Sequence, residues 1–318
     1  MYHARPNFLM LVAEPMIILH HYEMSPFSEK LRLMFGYAGL PWQSMLSPEM
    51  PPRPNLDPLT GGYRRIPVAQ IGADLFCDTR LICDEVSVLA GKPELAPHCG
   101  SADTQAYAAN LESAVFWACV LSIPVGVTLK QLVRNIGVWK TLRFLKDRAG
   151  VGKNSNMDTP SPKEAAQQFQ EHLEEMEQRL QARFLFADEP TYADFSAYHT
   201  LWFKREVGKL PMPQGLPKVA AWYERMEAFG HNQRQEISQD QAFEAARVSE
   251  PRPIPNDASE AANIGDNVVI RPTDYALDSV SGTLVGCSST RYIVARQSEE
   301  FGTVHVHFPR TGFECQSA

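Results

Sequence analysis

At 318 residues, 44% hydrophobic and 10% aromatic, the chain is long enough for two or three domains with ordinary globular cores. Its net charge of −7 argues against nucleic acid as a partner, and no apolar stretch is long enough to span a membrane, so no membrane partner is expected either. The six cysteines show neither paired nor metal-ligand spacing, which fits a reduced, cytoplasmic setting.

In chain order, residues 1–15 read as an added N-terminal arm. Phe8 to Ala13 is apolar and follows Arg5, but the run is short, and Glu14-Pro15 breaks it where a secretion signal would carry a small-residue cleavage site. Residues 16–93 alternate between strand and helix. A strand is predicted over Met16–Tyr22, and a helix over about Ser28–Ala38, where Leu31, Met34, Phe35 and Ala38 recur at helical spacing. A strand near Trp42–Leu46 precedes a Pro/Gly-rich loop. Strands over Val68–Ile71 and Asp74–Cys77 flank a tight turn at Gly72, and a helix starts near Thr79. A β-α-β unit followed by a hairpin and a helix is a thioredoxin-like arrangement. A short Pro-containing linker ends it.

Residues 100–245 change to a helical period. Tyr107, Leu111, Val115, Ala118 and Leu121 trace one face, Leu132, Ile136, Trp139, Leu142 and Leu145 a second, and Phe169, Leu173, Met176 and Leu180 a third. Asn154 to Pro162 reads as a polar loop. In Pro190-Thr191-Tyr192-Ala193-Asp194-Phe195, Asp194 three residues after Thr191 reads as a capping box with Asp in place of Glu. Pro251, Pro253 and Pro255 mark a linker over 246–261. Residues 262–318 hold short β-like runs at Val268–Ile270, Gly282–Val285, Tyr292–Ala295 and Val304–Phe308. A β-barrel-like module of this size is marginal alone, so it is expected to pack on the main body or on a partner subunit. His305 and His307 face one side of their strand, but no third ligand is evident and no metal site is expected.

Several short features recur together in one order. An apolar strand ends at His20-His21-Tyr22; Ser25-Pro26-Phe27-Ser28 opens a helix; Arg64-Arg65-Ile66-Pro67-Val68 opens the next strand; Asp78-Thr79 follows the last one. Together these residues resemble the glutathione S-transferase family, in its bacterial type with serine at the catalytic position. The resemblance runs from about Met16 to about Gly230 and includes the Pro-Thr-x-Ala-Asp-Phe segment. It implies a thioredoxin-like glutathione-binding domain, an all-helical second domain and, here, an additional small all-β module. It also implies a homodimer, for which the apolar Val115–Val120 stretch is the candidate surface.

The resemblance further implies residue roles. Ser25 is the catalytic hydroxyl, donating a hydrogen bond to the glutathione thiolate at a helix N-terminus. Tyr22 and Ser28 are the other hydroxyls at that end, Ser28 read as a cap or a supporting donor. With serine at both positions, Ser25 forms no mixed disulfide. Ile66, before a cis Pro67, would pair its backbone with the cysteinyl unit. Asp78 and Thr79 would take the γ-glutamyl ammonium and carboxylate, and Arg65, or else Arg64, the glycyl carboxylate. An electrophile pocket is expected between the domains, with Phe116, Trp117, Ile123, Val138 and Trp139 as candidate lining. The implied activity is conjugation of glutathione, as co-substrate, to small hydrophobic electrophiles. The alternatives are a glutathione-dependent isomerase or bond-cleaving enzyme, or a non-catalytic scaffold recruiting a partner through its β tail. Because every proposed ligand precedes Asp84, a chain stopped after about Val248 is expected to keep glutathione binding.

Overall fold

The computed structural model describes residues 16–153, 160–258 and 263–318. The N-terminal arm and most of the polar loop after Lys153 lie outside the described residues. Strand β1 is Ile18–His21, buried along its whole length, as expected of an Ile/Leu run inside a sheet. Helix α1, Pro26–Ala38, begins with Ser25 at its N-cap and Pro26 in its first turn, and ends on Gly39 at a φ of 69°, where a side chain would be strained. Strand β2, Trp42–Leu46, is followed by the short helix α2, Asp57–Thr60. Strands β3, Val68–Ile71, and β4, Asp74–Cys77, form the hairpin, and α3, Thr79–Ala90, closes the unit with Asp78 as its N-cap. β1 runs parallel to β2 and antiparallel to β3, and β3 antiparallel to β4.

The helical part follows as α4, Ala102–Asn110, a π-helical turn at Leu111–Val115, α5, Phe116–Leu121, α6, Val125–Ile136, and α7, Val138–Lys153. Then come α8, Pro162–Arg179, α9, Tyr192–Trp202, and α10, Pro217–Glu227. A short strand β5, Arg234–Glu236, returns to pair with β2, and α11, Gln239–Arg247, leads into the linker. One apolar core joins β1, α1 and α3 to α4, α5, α8, α9 and α10. Val115, Phe116, Ala118 and Cys119 belong inside this subunit, so the apolar stretch expected to face a second copy is largely spent within the chain. Asp194 is fully buried. Its carboxylate accepts hydrogen bonds from the backbone N–H of Thr191 and Leu185 and the indole N–H of Trp222, each at 2.9 Å, and from the Thr191 hydroxyl at 3.0 Å.

The tail contributes β6, Asn267–Pro272, β7, Val280–Cys287, β8, Arg291–Ser298, β9, Gly302–Pro309, and β10, Phe313–Ser317. These strands pack on the main body and extend its sheet. The order is β10-β6-β7-β8-β9-β4-β3-β1-β2-β5, with β9 parallel to β4 and Leu75 opposite Val306. A second apolar core below this junction mixes Leu56, Tyr63, Val68 and Leu75 with Val268, Leu284, Val306 and Phe313. A polar seam fixes the register. Asp74 accepts from His307 Nε2 at 2.8 Å and from the Arg252 N–H at 2.9 Å, while Glu85 accepts from Arg252 at 3.0 Å and Arg291 at 2.8 Å. The histidine pair of β9 is therefore turned to a carboxylate of β4, with His305 Nδ1 4.0 Å from Asp74.

Candidate functional site

Three helix and strand ends of the thioredoxin-like unit converge beside the helical domain. At the first, the Ser25 hydroxyl oxygen accepts from the N–H of Ser28 at 3.2 Å and so caps α1. That bond uses a lone pair and leaves the hydroxyl hydrogen available to a ligand. Ser25 is buried but borders a cavity of about 380 Å3, as does Tyr22. The Ser28 hydroxyl is buried with no protein partner among the described residues and does not border that cavity. Ser28 thus supplies the N–H that is capped, rather than the cap.

At the second end, the Ile66–Pro67 peptide bond is cis. At the third, Asp78 holds a φ of 76°, a left-handed conformation that strains a non-glycine residue and clusters at functional sites. The Asp78 carboxylate accepts from the N–H of Arg80 at 3.0 Å, and Thr79 opens α3. Ile66, Pro67, Asp78 and Thr79 line a second, smaller cavity of about 80 Å3. Arg65 and Ile66 border both cavities. The structure therefore brings Ser25, Arg65, Ile66, Pro67, Asp78 and Thr79 to one continuous region.

Arg65 is not an idle cation there. Its guanidinium donates to the Asp274 carboxylate and the Tyr275 carbonyl, lies 4.0 Å from Asp78, and stacks over the Tyr275 ring at 4.1 Å. Burial opposes its charge, but the side chains of Tyr275, Tyr63, Asp274 and Asp78 outweigh that, and its pKa lies above the ordinary arginine value. Arg64 is paired with Asp147 and lies 3.6 Å from Asp278.

The β tail builds part of the site, which sequence reasoning missed. Asp274, Tyr275, Thr311, Gly312 and Phe313 line the small cavity, and Tyr275 also lines the large one, its ring edge-on to Trp117 at 5.8 Å. The loop between β6 and β7 carries no motif, and the packing of the tail on the main body, through the β4–β9 pairing and the second apolar core, brings it here. Of the candidate pocket residues, Phe116, Trp117 and Ile123 line the large cavity together with Leu132, Phe144 and Val207, whereas Val138 and Trp139 face solvent.

A further group was equally invisible in the sequence. Glu112, on the π-helical turn, borders the small cavity and accepts from Lys30, from the Tyr192 hydroxyl and, at 3.0 Å, from the Ser196 hydroxyl, with Arg80 at 3.4 Å. Burial alone would raise its pKa, but Lys30 and Arg80 hold it down at about 2. Glu112 thus neutralises a fully buried Lys30 and ties α1 and α3 to the helical domain.

Comparison with known proteins agrees with this architecture. Residues 19–94 match the description "Glutathione S-transferase, N-terminal domain" and residues 140–225 "Glutathione S-transferase, C-terminal domain". A solved GST-like protein from Pseudomonas syringae is 30% identical, with a TM-score of 0.76, over 96% of this chain and 100% of its own. That match extends through the β tail. A glutathione S-transferase from Methylobacillus flagellatus, solved with GSH bound, aligns at 16% identity and a TM-score of 0.45, over 66% of this chain and 94% of its own. One from Methylobacterium radiotolerans, in complex with glutathione sulfonate, aligns at 16% and 0.47, over 70% and 97%. No functionally curated protein matches the chain. With both domains matched in order and a full-length likeness at 30% identity, the chain belongs to the glutathione S-transferase family.

Proposed function

We propose that the protein binds glutathione along the groove from Asp78-Thr79 to Ser25 and joins it, through its sulfur, to a small hydrophobic electrophile held in the larger cavity. The observation that carries this reading is the position of Ser25, which caps α1 and opens onto an aromatic-rich cavity beside the cis Ile66–Pro67 bond. In this reading the γ-glutamyl end sits at the start of α3, where the N-terminal amides and Thr79 take its carboxylate and Asp78 its ammonium. The Ile66 backbone pairs with the cysteinyl amide. The Ser25 hydroxyl then donates to the sulfur, and the N-terminus of α1 adds partial positive charge, so the thiol releases its proton nearer to neutral pH. The thiolate forms a C–S bond with the electrophile, and the displaced group leaves with the electron pair of the bond it breaks. Phe116, Trp117 and Phe144 surround the acceptor and exclude water. Glutathione is the co-substrate in this reading, and the six free cysteines suit a reducing, cytoplasmic setting.

The test is ultraviolet titration of the bound thiolate. A hydrogen bond to a charged group is worth about 1.5–3 kcal/mol, and α1 amides would replace part of it, so Ser25→Ala should raise the thiol pKa by about one unit. Turnover at pH 6.5 should fall about tenfold, with glutathione affinity little changed. Ser28→Ala removes a buried hydroxyl that has no protein partner among the described residues, so it should leave the thiol pKa alone and stability unchanged or slightly higher. If Tyr22→Phe moves the thiol pKa while Ser25→Ala does not, the donor is Tyr22 and the serine mechanism fails.

A further inference from the structure

We propose that the outer faces of α6 and α7 dock on an anionic lipid surface. The two helices present an apolar row that nothing among the described residues covers. On α6, Val125, Leu129 and Val133 recur every fourth residue and are exposed, Val125 at 78%. On α7, Val138, Trp139, Leu142 and Leu145 continue the row, with Trp139 exposed at 82%. Seven large apolar side chains in two consecutive helices exceed the scattered exposure of an ordinary surface. The buried sides of the same helices face the large cavity through Gln131, Leu132 and Phe144, so the exposed row is not the back of a misplaced core.

Charge selects the occupant. Lys130, Arg134, Lys140, Arg143 and Lys146 are all exposed and lie beside the apolar row. No acidic residue occurs between Glu112 and Asp147, in a chain whose net charge is −7. Asp147 itself is paired with Arg64 and lies 4.0 Å from Arg148. An apolar row containing a tryptophan and flanked by cations is the pattern of a helix lying in a headgroup layer. A second copy placed by two-fold symmetry would set this cationic patch against itself, which an anionic bilayer does not. The expectation of no membrane partner rested on the absence of a spanning stretch. Among the described residues no single helix is long and apolar enough to cross, and lying on the surface requires none. The arrangement would hold the cavity between α6, α7 and Ser25 close to the headgroup layer, where lipophilic electrophiles concentrate.

The test is co-sedimentation of the full chain with phosphatidylcholine vesicles with and without phosphatidylglycerol. Binding is expected to the mixed vesicles at low ionic strength and to be released at about 0.5 M salt. Lys140→Glu with Arg143→Glu should weaken partitioning about thirtyfold or more, and Leu142→Ser with Leu145→Ser about tenfold or more. All four side chains are exposed, so both variants should unfold at the wild-type urea midpoint and turn over soluble electrophile at the wild-type rate. Failure to bind the mixed vesicles, or equal binding to phosphatidylcholine alone, overturns the proposal. So does a fall in mass by light scattering for Leu142→Ser with Leu145→Ser in the absence of vesicle binding, which would make this face a subunit interface.

Discussion

Arg65 illustrates how far a residue's meaning depends on partners that are distant in sequence. Its position beside Ile66-Pro67 implied a role with the glycyl carboxylate, yet its guanidinium already faces Asp274 and the Tyr275 carbonyl. A ligand carboxylate would have to share this cation. Asp274→Ala should therefore tighten glutathione about fivefold, as expected for a gain of about 1 kcal/mol in one charge-assisted contact. Calorimetry with glutathione and with its glycine amide separates the causes. A gain confined to the free acid assigns the glycyl carboxylate to Arg65, and an equal gain for both ligands refutes that role. Ser25, Pro67, Asp78 and Thr79 were legible because near neighbours in the chain set their geometry: two helix N-caps and an X-Pro bond. Tyr275 was not legible, because its role in the site comes from Arg65 and Trp117, neither of them near it in sequence.

Among elements, the short strands were read with little error where the pattern is local. Trp42–Leu46, Val68–Ile71 and Asp74–Cys77 occur with the expected ends, and the four expected tail strands are each longer than their apolar cores suggested. β5 and β10 were missed, since Arg234–Glu236 and Phe313–Ser317 are largely polar and half-exposed. What no local pattern could show is the joining of β9 to β4. Alternation fixes the faces of a strand, not its neighbour in the sheet. That joining changes the expectation for truncation. Stopping the chain after Val248 bares the edge of β4, removes His307 from Asp74, and takes Asp274, Tyr275 and Phe313 out of the site. Glutathione affinity measured by calorimetry should then fall at least about tenfold, and the soluble yield should drop through edge-to-edge association. Unchanged affinity in a soluble truncated chain would show that the tail borders the site without serving it.

Across the whole molecule, buried histidines set the response to acid. Burial lowers His20 and His172 to about 4 and His199 to about 3. His21 falls to about 2, through burial and then the nearby Arg32, which donates to its Nδ1 at 3.0 Å. These rings stay neutral when folded but take up a proton near pH 6.5 when unfolded, so the unfolded state gains protons as pH falls. Stability is therefore full above about pH 6.5 and is lost below it, by about 2–4 kcal/mol between pH 6.5 and 5.5 for the four together. Below about 4.5 the depressed carboxyl of Glu112 adds a further loss as its salt bridges are protonated away. Urea unfolding at a series of pH values measures this slope. A flat profile from 6.5 to 5.5 would mean that the four rings are charged in the folded protein.

The seam between Asp74 and His307, 233 positions apart, also carries a consequence for synthesis. On the ribosome β4 is made long before β9. At about 5–20 residues per second the interval is roughly 10–50 s, during which the hairpin edge has no partner of its own. The thioredoxin-like half can fold in that time, but its sheet cannot be completed. A chain that stops short of β9 leaves the β4 edge bare and open to association, and the arrival of β9 is what covers it.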